Sequence, residues 1–182
     1  MEKEGPKDNG FIQGNIPLIL NSYADIFSSF DSRPYSEKAL SVDFLEECRR
    51  AVRDKADIGL ELTLSVPKER RNLLDEIKIK KRFRDHFRKH SLEKEKEIRK
   101  IKREGLAWVF IGTVLMIFVT LIQTYVQTLT FFFHLLIVIF TPAGWFSFWE
   151  GLGKIFIESR KLEPEYNFYK KMSNAHFLFK SY

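Results

Sequence analysis

The chain has 182 residues, 45% of them hydrophobic, and a formal net charge of +6 at pH 7, which leaves room for one modest domain plus membrane segments. A single cysteine, Cys48, excludes an intrachain disulfide and any cysteine-based zinc site, and it is compatible with a reduced setting. The charge is uneven: residues 1–66 carry −4, residues 67–105 carry +8 and residues 150–182 carry +2, while 106–149 hold no Asp, Glu, Lys or Arg.

Residues 1–15 are polar and mixed in charge and predict a disordered tail. They lack the basic start and apolar core of a secretory signal, so an uncleaved, unexported N-terminus is expected. "NIPLILNSY" predicts a strand over 16–23, apolar on both faces toward its middle, with Pro17 marking an edge. Ser41 has the chemistry of an N-cap, and Phe44, Leu45, Cys48, Ala51 and Val52 follow helical spacing, which predicts a helix over 42–56. In "GLELTLSVP" Leu60, Leu62, Leu64 and Val66 alternate with Glu61, Thr63 and Ser65, the pattern of a strand with one buried face and one wet face.

Helical spacing returns over 68–90, with Leu73, Ile77, Phe83 and Phe87 assigned to one face. Ser91 reads as the cap of a fresh helix, a basic stalk over 91–105 that a following membrane helix continues upward. The uncharged stretch 106–149 is too long for one membrane span and fits two of roughly 20 residues. Its hydrophilic maximum, "QTYVQTLT", places the spans at about 106–125 and about 129–149. Gly151 and Gly153 weaken the helix beyond, Pro164 reads as the start of a short helix through Lys171, and "AHFLFKSY" predicts a strand over 175–182.

No Lys or Arg lies between the two spans, whereas Lys94, Lys96, Arg99, Lys100, Lys102 and Arg103 precede the first and Lys154, Arg160 and Lys161 follow the second. The positive-inside rule then predicts a multi-pass protein of the cell membrane with both termini cytoplasmic. The strand at 175–182 thus lies on the same side as those near 16–23 and 59–66. A lone strand leaves its backbone groups unpaired, so the three are expected to share one sheet. The expected fold class is α+β: a two-helix transmembrane hairpin inserted into a small cytoplasmic α/β domain built from both chain ends. Residues 16–90 supply the N-terminal part of that domain, and 150–182 complete it through an interfacial helix and the last strand.

Lys100, Lys102, Arg103, Trp108, Trp145, Trp149 and Lys154 are the expected membrane-interface residues, cations in the headgroup layer and indoles at its edge. Gln123, Thr124, Gln127 and His134 are the candidate polar membrane residues, and they would form the mouth of a pore if the hairpin oligomerised. His86 and His90 have the i, i+4 spacing of a metal pair, but basic neighbours surround them and no further ligand is in view, so no metal or other cofactor is expected. The loop "DSRPYSEKALSVD" gathers Asp31, Arg33, Tyr35, Glu37 and Asp43 without a nucleophile–base pair or a phosphate-cradling glycine pattern. No catalytic residue is assigned.

"KIKKRFRDHFRKH" has the cations of a nucleic-acid segment, but it leads into the apolar stretch, which makes anionic lipid headgroups the nearer partner. Taken in order, "SEKALSVDFLEECRRAVRDK", "LTLSVPKERRN", two spans, "GWFSFWEGLGKIFIESRK" and "FYKKMSNAHFLFKSY" resemble a set of uncharacterised prokaryotic membrane proteins with two transmembrane helices and a cytoplasmic α/β domain. The resemblance implies an architecture and carries no activity. The functional expectation is a non-enzymatic membrane protein whose cytoplasmic domain binds a protein or small molecule. The alternative is a homo-oligomeric pore or membrane effector gated by that domain.

Overall fold

The computed structural model describes residues 14–53, 59–126 and 130–182. The tail expected over 1–15 falls almost wholly outside them, as do the last residues of the helix expected to reach 56, and Gln127. The chain is mostly helical, with one three-stranded parallel sheet. It divides into two compact units: the described residues up to Ser91 together with Asn167–Tyr182, and Leu92–Tyr166.

The sheet of the first unit comprises β1 (Asn15–Ile19), β2 (Glu61–Val66) and β3 (His176–Ser181) in the order β1-β2-β3. Leu18, Leu64 and Phe179 lie side by side across it. The segment at the end of the chain therefore does join the two early strands. Gly14 O accepts from Glu61 N and Leu20 N donates to Ser65 O, so even-numbered residues of β1 turn their backbone toward β2. Pro17, which lacks an N–H, faces the open edge where no donor is required.

Both parallel connections step the same way across the sheet, from β1 to β2 and from β2 to β3. Ile16, Leu20, Leu62, Leu64, Val66, Phe177 and Phe179 line the core with Phe44, Cys48 and Val52 of α1 (Val42–Val52). Ser41 caps α1, accepting from Phe44 N through its hydroxyl. Thr63, expected on the wet face, is buried at the centre of the sheet with strands on either side, and its hydroxyl is satisfied by Asn15 Oδ1 at 3.0 Å.

α2 is one uninterrupted helix, Leu73–Tyr125. Ser91 lies inside it and starts nothing, because good helix formers on both sides let the hydrogen-bond ladder run through. The buried face of its first part also differs from the expected one. Ile79, Phe83 and Phe87 are fully buried, whereas Leu73 and Ile77 are exposed. Phe83 packs 4.9 Å from Phe177 and 5.5 Å from Phe44, ring centre to ring centre. Aromatic bulk decides which arc of the helix meets the core.

In the second unit, the later part of α2 runs beside α3 (Phe131–Gly153), which passes through a π-helical turn (Lys154–Glu158) into α4 (Ser159–Ser173) without a break. Gly151 and Gly153 do not end the helix, and Pro164 lies inside α4 at an exposed position instead of starting a new helix. Of the residues that α2 buries here, Ile98, Gly105, Gly112 and Val119 recur every seventh position, and Ile122 follows three residues after the last. That is the seam of a two-stranded coiled coil.

Candidate functional site: the apolar hairpin

Gly residues set how closely the two helices of the second unit approach. A Cβ on Gly112 would lie 2.6 Å from Phe148 N and 2.7 Å from Gly144 O. One on Gly151 would lie 2.5 Å from Gly105 O and 2.7 Å from Val109 N. Two crossings result, Gly112 with Gly144 and Gly105 with Gly151, each pair seven residues apart on its own helix. These glycines permit close approach at a spacing of seven, which a search for GxxxG misses.

The π-helical turn keeps this seam in register. Gly144 and Gly151 are seven apart, and the next buried residue, Ser159, is eight further on. In the wider π turn Ser159 N donates to Lys154 O, which releases the carbonyl of Ile155. The Ser159 hydroxyl donates to that part-buried carbonyl at 2.6 Å, so the oxygen stays paired.

Outside the seam, the hairpin turns its apolar side chains outward. Both helices are long and apolar enough to cross a membrane, and only 17% and 11% of the residues in their most apolar windows are buried. A core helix of a water-soluble protein would show the reverse. Leu106, Phe110, Ile117, Leu121, Val138 and Ile139 are all exposed.

Several expected interface residues gather at one level of the hairpin. Trp108 and Trp149 sit three and two residues from the Gly105–Gly151 crossing, and the Trp149 ring stacks on that of Trp145 with centres 6.2 Å apart. Lys154 lies against the same crossing and is flanked by Glu150 at 3.8 Å and Glu158 at 3.5 Å. Lys100, Lys102 and Arg103 are exposed on α2 just before it. Lys100 reaches Glu104 at 4.0 Å, and Lys94 bridges Glu97 at 3.2 Å and Glu165 at 3.0 Å.

Of the polar candidates, Gln123, Thr124 and His134 are exposed, and Gln127 lies outside the described residues. The Thr124 hydroxyl donates to Thr120 O at 2.8 Å, and Thr113, Thr120 and Thr141 bond back to their own helices in the same way. These hydroxyl protons are committed to the backbone.

In the first unit, the ring centres of His86 and His90 lie 4.4 Å apart, and His90 stacks on Tyr169 at 5.2 Å. No third metal-ligating side chain joins them, since no cluster of three His, Cys, Asp or Glu occurs among the described residues. His86 Nε2 is buried without a hydrogen-bond partner among those residues. Burial, then the neighbouring His90, Arg82 and Lys89, push its pKa down to about 4.

The loop singled out in the sequence is held by Asp31, whose carboxylate accepts from Ala39 N at 2.7 Å and from the Arg33 guanidinium at 2.8 Å. Those bonds keep it below the usual carboxylate range, the Arg33 side chain contributing most. Arg33, Tyr35 and Lys38 line an open cleft of about 490 Å³ against Asp75 and Lys78. Arg33 pairs with Asp31 and Lys78 with Asp75, so the cleft concentrates little net charge.

One buried network is invisible in the linear sequence. Glu76, 4% exposed, takes two hydrogen bonds from Arg71 at 2.8 and 3.0 Å and one from the Tyr23 hydroxyl at 3.1 Å. That hydroxyl in turn accepts from Asn72 N at 3.0 Å. The Glu76 pKa is lowered overall: burial, the largest single influence, opposes the shift, and the Arg71 and Tyr23 bonds outweigh it. No family model, curated protein or solved structure matches the chain.

Proposed function

We propose that the protein is an integral protein of the cell membrane, anchored by the two-helix hairpin, with both chain ends on the cytoplasmic side. The observation that carries this reading is the outward-facing apolar surface of both long helices, only 17% and 11% buried in their most apolar windows. In water that surface is a large unpaid hydrophobic cost, and in a bilayer it is solvated. The cationic residues before the first apolar segment and after the second, with none between, set the orientation. On this reading the unit formed from both chain ends is a non-enzymatic binding or interaction module that the hairpin holds at the membrane.

Single cysteines tested with a membrane-impermeant thiol reagent in intact cells check the topology. Cys48 is a silent background, being fully buried with its pKa pushed up to about 12 by burial. A cysteine at Thr130 is expected to label from outside, and one at Lys180 only after lysis. Labelling at Lys180 in intact cells refutes the orientation.

A second reading, an oligomeric pore, draws support from the outward exposure of Gln123, Thr124 and His134 near the hairpin turn. Mass measurement in nanodiscs separates the two readings. A monomer removes the pore, and a defined ring that conducts in planar bilayers removes the plain anchor.

A further inference from the structure

We propose that the first two turns of α2 form a separate contact element for an anionic lipid surface, independent of the hairpin. Leu73, Leu74 and Ile77 are 70%, 69% and 65% exposed, although they belong to a unit with a well-filled core. At 100° per residue they occupy a single arc about 100° wide, opposite the arc of Ile79 and Phe83 that packs against the sheet. Lys78, Lys81, Arg84 and Arg88 continue that outer arc and are all exposed. Asp85 is the acid within it, and Asp75 at its margin is shared between Lys78 at 3.5 Å and Asn72 at 3.0 Å. The arc is thus an aliphatic tip backed by an excess of cations.

The tip is held rigidly. Arg71, Asn72 and Glu76, which interleave with its residues, are tied to one another and to Tyr23, and Asn72 Oδ1 accepts from Leu74 N at 3.0 Å. Little ordering entropy remains to be lost on contact.

Charge and shape together choose the occupant. Three convex aliphatic side chains without an aromatic anchor are far short of the roughly 800 Å² per partner of a stable protein interface. They are sufficient for insertion at the boundary between headgroups and acyl chains, where flanking Lys and Arg reach phosphates. Each cation held close to an anionic surface raises partitioning about fivefold.

The test uses the full chain in nanodiscs of zwitterionic lipid, mixed with vesicles of either phosphatidylcholine alone or phosphatidylcholine with about one-third phosphatidylserine. Cosedimentation with the anionic vesicles only is expected, weakening as salt rises. Leu74→Ser with Ile77→Ser is expected to reduce it at least tenfold. Lys81→Gln with Arg84→Gln should reduce it and flatten the salt dependence, while Leu178→Ser on β3 should leave it unchanged. A parallel arm labels Glu69→Cys with a fluorophore and places nitroxide lipids either in an anionic nanodisc or in the added vesicles. Quenching by the disc assigns the contact to the protein's own bilayer, and quenching by the vesicles to a second surface.

Absence of both binding and quenching overturns the proposal and leaves the tip to a protein partner. So does binding that survives the Leu74 and Ile77 changes. Neither result touches the cysteine-labelling topology of the hairpin, so the two readings fail separately.

Discussion

Alanine substitutions at Gly112, Gly151 and Gly153 should have opposite effects, although all three replace a helical glycine with the best helix former. At Gly112 the new methyl would meet Phe148 N at 2.6 Å and Gly144 O at 2.7 Å, and at Gly151 it would meet Gly105 O at 2.5 Å. These are backbone atoms, which cannot rotate away. Restoring ordinary contact at 3.5 Å or more requires the helices to part by roughly 1 Å, and a gap of that size forfeits up to half the attraction of each pair it opens. Overpacking of this kind costs about 1–3 kcal/mol, against a propensity gain of about 1 kcal/mol. The net expectation is a loss of up to about 2 kcal/mol at Gly112 and Gly151. A Cβ at Gly153 has nothing within 4 Å, so Gly153→Ala should gain up to about 1 kcal/mol. Pyrene labels on Phe118→Cys and Phe140→Cys, whose native rings lie 6.2 Å apart, report hairpin opening as excimer emission during titration with SDS in mixed micelles. If Gly112→Ala and Gly151→Ala raise the midpoint as Gly153→Ala does, the close-packed seam is wrong.

Deleting Ile157, exposed in the π-helical turn, should leave hairpin stability unchanged or improved by the same excimer titration, because it restores a seven-residue step from Gly151 to Ser159. The same kind of deletion at Phe146, exposed between Gly144 and Gly151, should weaken the hairpin, since it turns every later seam residue of α3 by about 100°. Glu76→Ala, which removes the buried acceptor of Arg71 and Tyr23, should destabilise the first unit by about 1–3 kcal/mol in urea unfolding followed by circular dichroism. His86 stays neutral in the fold down to about pH 4, while the unfolded chain takes up a proton near 6.5. Its contribution is therefore complete above pH 6.5 and is lost as pH falls toward 4, by about 1–2 kcal/mol once screening of the half-buried ring is allowed for. His86→Leu should flatten the stability profile across that window relative to the parent, and an unchanged slope would sink the assignment.

What could be read from the linear chain was what depends on neighbours in sequence. Alternation marked β2, the Ser41 cap marked α1, and the demand that every strand find a partner brought 175–182 into the sheet. The failures have a common cause. Leu73 and Ile77 have the same helical phase and hydropathy as a core face, and only the presence of Phe44 and Phe177 shows that Phe83 and its neighbours claim the sheet instead. Glu76 and Tyr23 are 53 positions apart, so no local pattern links them. Ser91 carries a strong cap signal, yet a cap matters only where a helix has to start, and α2 is already formed on both sides of it.

The seam between the two apolar helices shows how a local irregularity follows from a distant constraint. The seven-residue steps on α2, matched by Gly144 and Gly151 on α3, keep one face turned to its partner, and an extra residue between Gly151 and Ser159 would carry Ser159 out of the seam. A π turn absorbs that residue, at the cost of one freed carbonyl. A carbonyl partly shielded from water is stabilised by a partner, and a short donor on the residue that returns to the seam supplies one. Ser159, buried and bonded to Ile155 O at 2.6 Å, meets both conditions, which a leucine or an alanine at that position would not. The serine, the bulge and the glycines on α2 are thus one packing solution, and replacing Ser159 should be tolerated only when the bulge is deleted with it.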